Sequence, residues 1–297
     1  MKQLFALLTF LTTAITVFCQ TTDKRLAGID TAINRILREW HVAGASIAVV
    51  EKNKVLLAKG YGYKDYESKV PVTAQTLFAI GSCTKAFTAA LLASPAKEGL
   101  LDLDKPVSQY LPELRFHTDA LTNQVTTRDM MCHRTGLPRH DLAWYGAATT
   151  RDSLLYRIRF LEANAPLRQS WQYNNFMFLA QGMLAAKLSG KSWEQLIKEQ
   201  FFVPLGMHSS NTSMNDHIKA ADFAYGYRED SGKIFRMKFM NIDPIGPAGS
   251  INSNAQDMAQ WVMMWVQGGK HNGKEILPPS FYTQAISSQM IVTAGLP

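Results

Sequence analysis

Two side chains three residues apart offer the first chemistry in this sequence. In Thr76-Leu77-Phe78-Ala79-Ile80-Gly81-Ser82-Cys83-Thr84-Lys85-Ala86-Phe87 an apolar approach stops at Gly81, and Ser82 follows at once. Ala86, Ala89, Ala90 and Leu92 then recur at helical spacing, which places Ser82 at or just inside a helix N-terminus. Lys85 falls one turn further along the same face, within reach of the Ser82 hydroxyl. A serine hydroxyl is a poor nucleophile until a base removes its proton, and a buried lysine of lowered pKa can be that base. The helix start adds backbone N–H groups and a positive dipole end, which favour negative charge developing at the oxygen. Ser94-Pro95-Ala96-Lys97 repeats the spacing, but Pro95 interrupts the helix there and nothing around it suggests a pocket.

A second candidate lies far downstream. Trp171-Gln172-Tyr173-Asn174-Asn175-Phe176-Met177 holds the only Tyr-x-Asn in the chain, on a loop ahead of an apolar helix. Tyr173 could pass a proton to a leaving group, and Asn175 could bond a substrate amide or the Lys85 amine. Other chemistries lack their signatures. No Gly-x-Ser-x-Gly surrounds any serine, and neither His-Glu-x-x-His nor Cys-x-x-Cys occurs.

Composition bounds the setting. A chain of 297 residues that is 46% hydrophobic can bury a sizeable core. Met1-Lys2 and the apolar run Leu4 to Phe18 read as a secretory signal peptide over residues 1–19, cleaved near Cys19-Gln20. Bulky Phe18 argues against lipid anchoring at Cys19, and no later stretch is long enough to span a bilayer. Export implies a periplasmic or secreted protein. It leaves Cys83 and Cys132, read as two buried thiols rather than a disulfide. The net charge of +7 is spread along the chain, which fits attraction to anionic substrates or an anionic envelope. It forms no basic block and no nucleic-acid motif, so nucleic acid is not an expected partner.

The elements that must position these residues begin with an amphipathic helix over Leu26 to Trp40. Gly44 to Val50 and Val55 to Gly60 then read as a β-hairpin that needs further strands. Helices are expected from Thr126 or Thr127 to Met131, from Arg151 to Phe160, from Phe176 to Leu188, from Ser192 to Phe202 and from Asn254 to Val266. Ala224 to Arg228 and Ile234 to Met240 are either strands or extended loop.

Together the two motifs resemble the serine β-lactamase and penicillin-binding-protein superfamily, closest to its class C β-lactamase, D-Ala-D-Ala carboxypeptidase and family VIII esterase branch. Thr76 to Ala89, His133-Arg134-Thr135-Gly136-Leu137-Pro138, Phe202 to Met207 and Pro247 to Ser253 carry the likeness as well, which runs from about Leu26 to Met290. The resemblance implies an α+β fold of the β-lactamase/transpeptidase type: an antiparallel sheet flanked by helices, with an all-helical insertion and a site in the cleft between. Residues 20–297 would form one hydrolase domain, its sheet side from 26–85 and 241–297 and its helical part from 86–240. Ser82 would be the acylated nucleophile, Lys85 its base, Tyr173 the second acid/base, and Asn175 a contact to substrate and to Lys85. The implied reaction cleaves an amide or ester, whether a β-lactam, a D-Ala-D-Ala peptide or a small ester, with no metal or organic cofactor. The substrate would be a small molecule or peptide.

The family's third motif, Lys-Thr-Gly or His-x-Gly on a late strand that supplies the second oxyanion donor, finds no match on a β-run. His271-Asn272-Gly273 has the letters but turn composition, and Arg134-Thr135-Gly136 sits in a helix-ending loop. The chain therefore reads as lacking the late strands. Loss of one oxyanion donor costs on the order of a hundredfold in rate, and loss of the strands exposes an apolar edge of the early hairpin. The alternative reading is a truncated or non-catalytic family member that binds peptidoglycan-like peptides or a partner without turnover.

Overall fold

The computed structural model describes residues 23–292, so the expected leader lies outside the described residues. Helix α1 (Ile29–Glu39) begins later than the apolar spacing suggests, because Gly28 adopts a left-handed φ of +82° and separates it from a 3₁₀ turn at Lys24–Leu26. Strands β1 (Gly44–Glu51) and β2 (Lys54–Asp65) form the expected hairpin. Their antiparallel register runs from Gly44 opposite Gly62 to Glu51 opposite Lys54, with an irregularity at Val49/Val50. β3 (Val70–Pro71) continues this sheet in the order β1-β2-β3. β4 (Phe78–Ala79) leads through a 3₁₀ turn at Gly81–Cys83 into α2 (Thr84–Leu91), and α3 (Ala93–Lys97) follows after a break.

The helical part then contains α4 (Asp119–Gln124), α5 (Thr127–Met131), α6 (Arg151–Arg157), α7 (Asn175–Ser189), α8 (Trp193–Ile197), α9 (Val203–Leu205) and α10 (Met214–His217). The segments from Ala224 and from Ile234, left open as strands or extended loop, meet as a hairpin of β5 (Tyr227–Asp230) and β6 (Lys233–Arg236). β7 (Asn252–Ser253) returns to pair with β4, Phe78 opposite Ser253 and Ala79 opposite Asn252. α11 (Ala255–Val266) lies against β1 and β2; its N-cap Asn254 accepts from Asp257 N. β8 (Lys270–His271), β9 (Lys274–Glu275) and α12 (Pro279–Ala285) complete the described chain. The fold is thus α+β, small antiparallel sheets with many helices.

The core centres on α7. It is apolar around its whole circumference, and every residue from Asn174 to Gly182 is buried, as expected of a helix enclosed on all sides. α2, α5, α6, α8 and the turn at Asp243–Ala248 pack around it. A Cβ at Gly182 would stand 2.4 Å from Pro247 Cγ, so only glycine lets α7 approach that turn so closely. Phe87 of α2 stacks on Trp261 of α11 with ring centroids 3.7 Å apart, which joins the helical part to the layer over the sheet.

The helical part also holds a fully buried carboxylate. Asp129 accepts from Arg134 Nε at 2.7 Å and Arg168 Nη2 at 2.9 Å, and closes a capping box with Thr126. Burial alone would raise its pKa, but these donors outweigh it and hold Asp129 ionised. No helix among the described residues is long and apolar enough to cross a membrane.

Candidate active site

Ser82 is placed by the β4–β7 pair. Ile80 N donates to Ile251 O at 3.0 Å, and Gly81 then takes a left-handed φ of +51°, which turns the chain out of the pair and into α2. The Ser82 N–H finds no acceptor among the described residues, so it is open to an oxyanion.

Lys85, one turn on, is 7% exposed, and its Nζ lies 3.1 Å from Ser82 Oγ. It also donates to Ala248 O at 2.6 Å. The segment that supplies this carbonyl is fixed along α2: Ile251 N donates to Thr84 Oγ1 at 3.1 Å, and Thr88 Oγ1 donates to Pro247 O at 2.7 Å. Burial, with the charge of Arg139 next, lowers the Lys85 pKa to about 7 against the opposing charges of Asp141 and Cys83. An amine with one N–H held by a carbonyl keeps a lone pair for the hydroxyl beside it.

Tyr173 closes a triangle, its Oη in hydrogen-bonding contact with Ser82 Oγ. Lys85 Nζ lies 4.7 Å from the centre of its ring. The loop that carries Tyr173 is clamped on both sides by His133. Gln172 N donates to His133 O at 2.7 Å and Asn174 N to His133 Nδ1 at 3.0 Å, while the imidazole packs 4.7 Å from the Tyr173 ring. Burial, then the charges of Lys85 and Arg139, lowers the His133 pKa to about 4, so the ring is neutral, and its accepting Nδ1 puts the proton on Nε2. Asn174 adds a further tie, capping α7 through Met177 N at 3.2 Å and donating to Pro138 O at 2.7 Å.

Asn175, the first residue of α7, makes a different contact from the expected one. Its Nδ2 donates to Asp141 Oδ1 at 2.9 Å, and no hydrogen bond joins it to Lys85. The reason is a carboxylate that the Tyr-x-Asn spacing could not announce. Asp141 also accepts from Trp144 Nε1 at 2.9 Å and Arg139 Nε at 2.6 Å. Burial pushes the Asp141 pKa up, but the donors from Arg139, Asn175 and Trp144 bring it below the usual carboxylate value. Arg139 lays its guanidinium 4.8 Å from the centre of the Tyr173 ring.

Sequence reasoning missed His133, Arg139 and Asp141. The available signal was the Gly/Pro-punctuated stretch His133 to Pro138, which carries family likeness but looks like a plain helix-ending loop. The cysteines also differ from expectation. Both are free, but neither is buried: Cys83, the residue before α2, is exposed on the same open side as Ala86, and Cys132 is half-buried. His271 ends β8, and Asn272-Gly273 forms the two-residue turn into β9, with φ of +49° at Asn272 and +78° at Gly273. Beside Lys85 opens a cavity of about 410 Å³ whose lining includes Ala86, Ala89, Met131, Trp171, Phe178 and Trp265. Among the described residues, no group of three or more His, Cys, Asp or Glu side chains could hold a metal ion.

Known proteins resemble this chain in sequence and fold. The family model described as Beta-lactamase matches residues 29–295. Unguisins hydrolase ungD' of Aspergillus campestris is 31% identical over 274 residues, covering 87% of this chain and 50% of that protein. The chain spans about half the length of the curated relatives it matches. The octameric penicillin-binding protein homologue from Pyrococcus abyssi superposes with a TM-score of 0.77 at 26% identity, covering 89% of this chain and 60% of that one. A class C beta-lactamase superposes at 0.70 with 25% identity, over 83% and 66% of the two chains. A family match across most of the length, joined to a serine, a lysine one turn on and a distant tyrosine on one cleft, means that this chain belongs to the beta-lactamase family.

Proposed function

We propose that this chain is an exported serine hydrolase that cleaves an amide or ester through an acyl-serine intermediate. The observation that carries the reading is the triangle of Ser82, Lys85 and Tyr173, with an amine that titrates near neutrality inside it. Ser82 Oγ attacks the substrate carbonyl carbon while its proton passes to neutral Lys85 Nζ. The Ser82 amide stabilises the oxygen that becomes negative. On collapse the bond to the leaving group breaks, and that group takes a proton from Tyr173 Oη, which Lys85 replenishes. Water then repeats the sequence in reverse roles to free the acid and Ser82. The Ala248 carbonyl orients Lys85 throughout, and His133 holds the Tyr173 loop.

Asn175, bound to Asp141 at the start of α7, is placed to offer its remaining amide oxygen to a substrate N–H. The apolar cavity beside Lys85 suits an uncharged acyl or aromatic group. A relative named as a hydrolase of unguisins supports hydrolysis over binding alone. The charged start and the apolar run Leu4 to Phe18, which read as a leader, support export.

The test is covalent labelling. A fluorophosphonate or fluorescent penicillin is expected to label the protein at Ser82, located by peptide mass. Absence of label, or equal labelling of Ser82→Ala, refutes the hydrolase reading.

A further inference from the structure

The triangle uses three side chains, and a fourth stands over it with most of its hydrogen-bonding capacity unspent. Arg139 follows Pro138 directly, and its side chain is 59% exposed. Its Nε donates to Asp141 Oδ2 at 2.6 Å, and its guanidinium carbon lies 4.8 Å from the Tyr173 ring centre. One nitrogen and one face of the guanidinium are therefore fixed. The two terminal nitrogens have no protein partner among the described residues. Asp141 Oδ1 accepts from Asn175 and Trp144 and its Oδ2 from Arg139 Nε, so this carboxylate holds the guanidinium by one nitrogen alone.

We propose that Arg139 is a specificity-determining residue that takes a carboxylate of the substrate on its two terminal nitrogens, beside the Ser82–Tyr173 pair. A guanidinium already held at Nε and stacked on a ring has lost most of its rotamer freedom before the ligand arrives, so little ordering remains when a carboxylate docks. The planar fork matches two carboxylate oxygens, which an ammonium cannot do. The preferred substrates are therefore esters or amides that carry a carboxylate near the scissile bond. This deepens the hydrolase reading and rests on it.

Matched ester pairs provide the test. On the leaving-group side, 3-acetoxybenzoic acid is compared with methyl 3-acetoxybenzoate. On the acyl side, the mono-p-nitrophenyl ester of isophthalic acid is compared with its methyl ester. In each pair one carboxylate is masked and the reacting bond is kept. The wild type is expected to favour the free acid in at least one pair by about tenfold to a hundredfold in kcat/KM, the range for a charge-assisted bidentate contact. That pair also shows which side of the scissile bond faces Arg139. In Arg139→Gln the acid-to-ester ratio falls to near one, chiefly through KM, and Arg139→Lys recovers part of it.

A general pull of the +7 chain on anions would survive in Arg139→Gln, so an unchanged ratio in that variant overturns the proposal. Loosening of Tyr173 would slow both members of a pair alike and leave the ratio intact, which also overturns it. Turnover without preference in either pair removes the Arg139 role and leaves the hydrolase reading standing. If no ester is turned over although Ser82 takes the fluorophosphonate label, the Arg139 role falls and the hydrolase reading stands; if the label is absent too, both fall.

Discussion

The rate of Ser82 acylation is expected to fall below neutral pH with a midpoint near 7, because only the neutral Lys85 amine can accept the serine proton. Burial and Arg139 bring its pKa from 10.5 to about 7. At pH 7 an unshifted lysine would be neutral in roughly one molecule in three thousand, whereas the shifted one is neutral in about half. The difference corresponds to about 5 kcal/mol in favour of the base form. The assay is the rate of fluorophosphonate labelling from pH 5 to 9, a reaction whose probe carries no titrating group. The rate should fall about tenfold per pH unit below the midpoint. His133 does not produce this limb, since it titrates near pH 4.

Arg139→Gln removes a positive charge that lowers the Lys85 pKa, so it moves the midpoint upward. The same shift appears in stability. The unfolded chain binds this proton up to pH 10.5 and the folded chain only to about 7, so the unfolded state carries more protons in between, and stability rises with pH across that window. Relative to Lys85→Met, the wild type should gain about 1.4 kcal/mol per pH unit from pH 7 to 9. A flat labelling rate from pH 5 to 9, or a midpoint that Arg139→Gln does not move, refutes the reasoning.

Three further outcomes follow from the same contacts. Tyr173→Phe and Lys85→Ala should each abolish turnover while near-ultraviolet circular dichroism stays native; ester hydrolysis retained in both would mean the wrong site. His133→Ala leaves the Asn174 N–H without its acceptor and the Tyr173 ring without its support. The expected loss is about 1 to 3 kcal/mol in urea unfolding and tenfold or more in acylation rate. Asp129→Ala strips the partner from Arg134 and Arg168 at a fully buried position and should cost about 3 to 5 kcal/mol, read as a fall in Tm.

What the sequence discloses follows from how local each feature is. Ser82 and Lys85 share one helical turn, so spacing alone brings them together. β1 and β2 are long enough for their hairpin to be read from composition and turn residues. β4 and β7 are two residues each and have no period to read, yet they aim Ser82. Tyr173 needs family likeness to be singled out, because a tyrosine before an apolar helix is ordinary core. The His133 clamp and the Asp141 hub are tertiary. Their residues sit on loops with turn composition, and only the folded chain brings Asn175, Trp144 and Arg139 to one carboxylate. The Asn175 contact is the instructive case, since its neighbour in space was decided by a residue outside the motif.

The contact between Gly182 and Pro247 reaches beyond packing. A methyl group added on the hidden side of α7 would press on Pro247, whose next residue, Ala248, offers its carbonyl to Lys85. Directed-evolution libraries confined to the cleft would never sample this position. A random screen for lost turnover should recover it among folded, catalytically silent clones, and a deep mutational map would then show intolerance where no reacting atom is near.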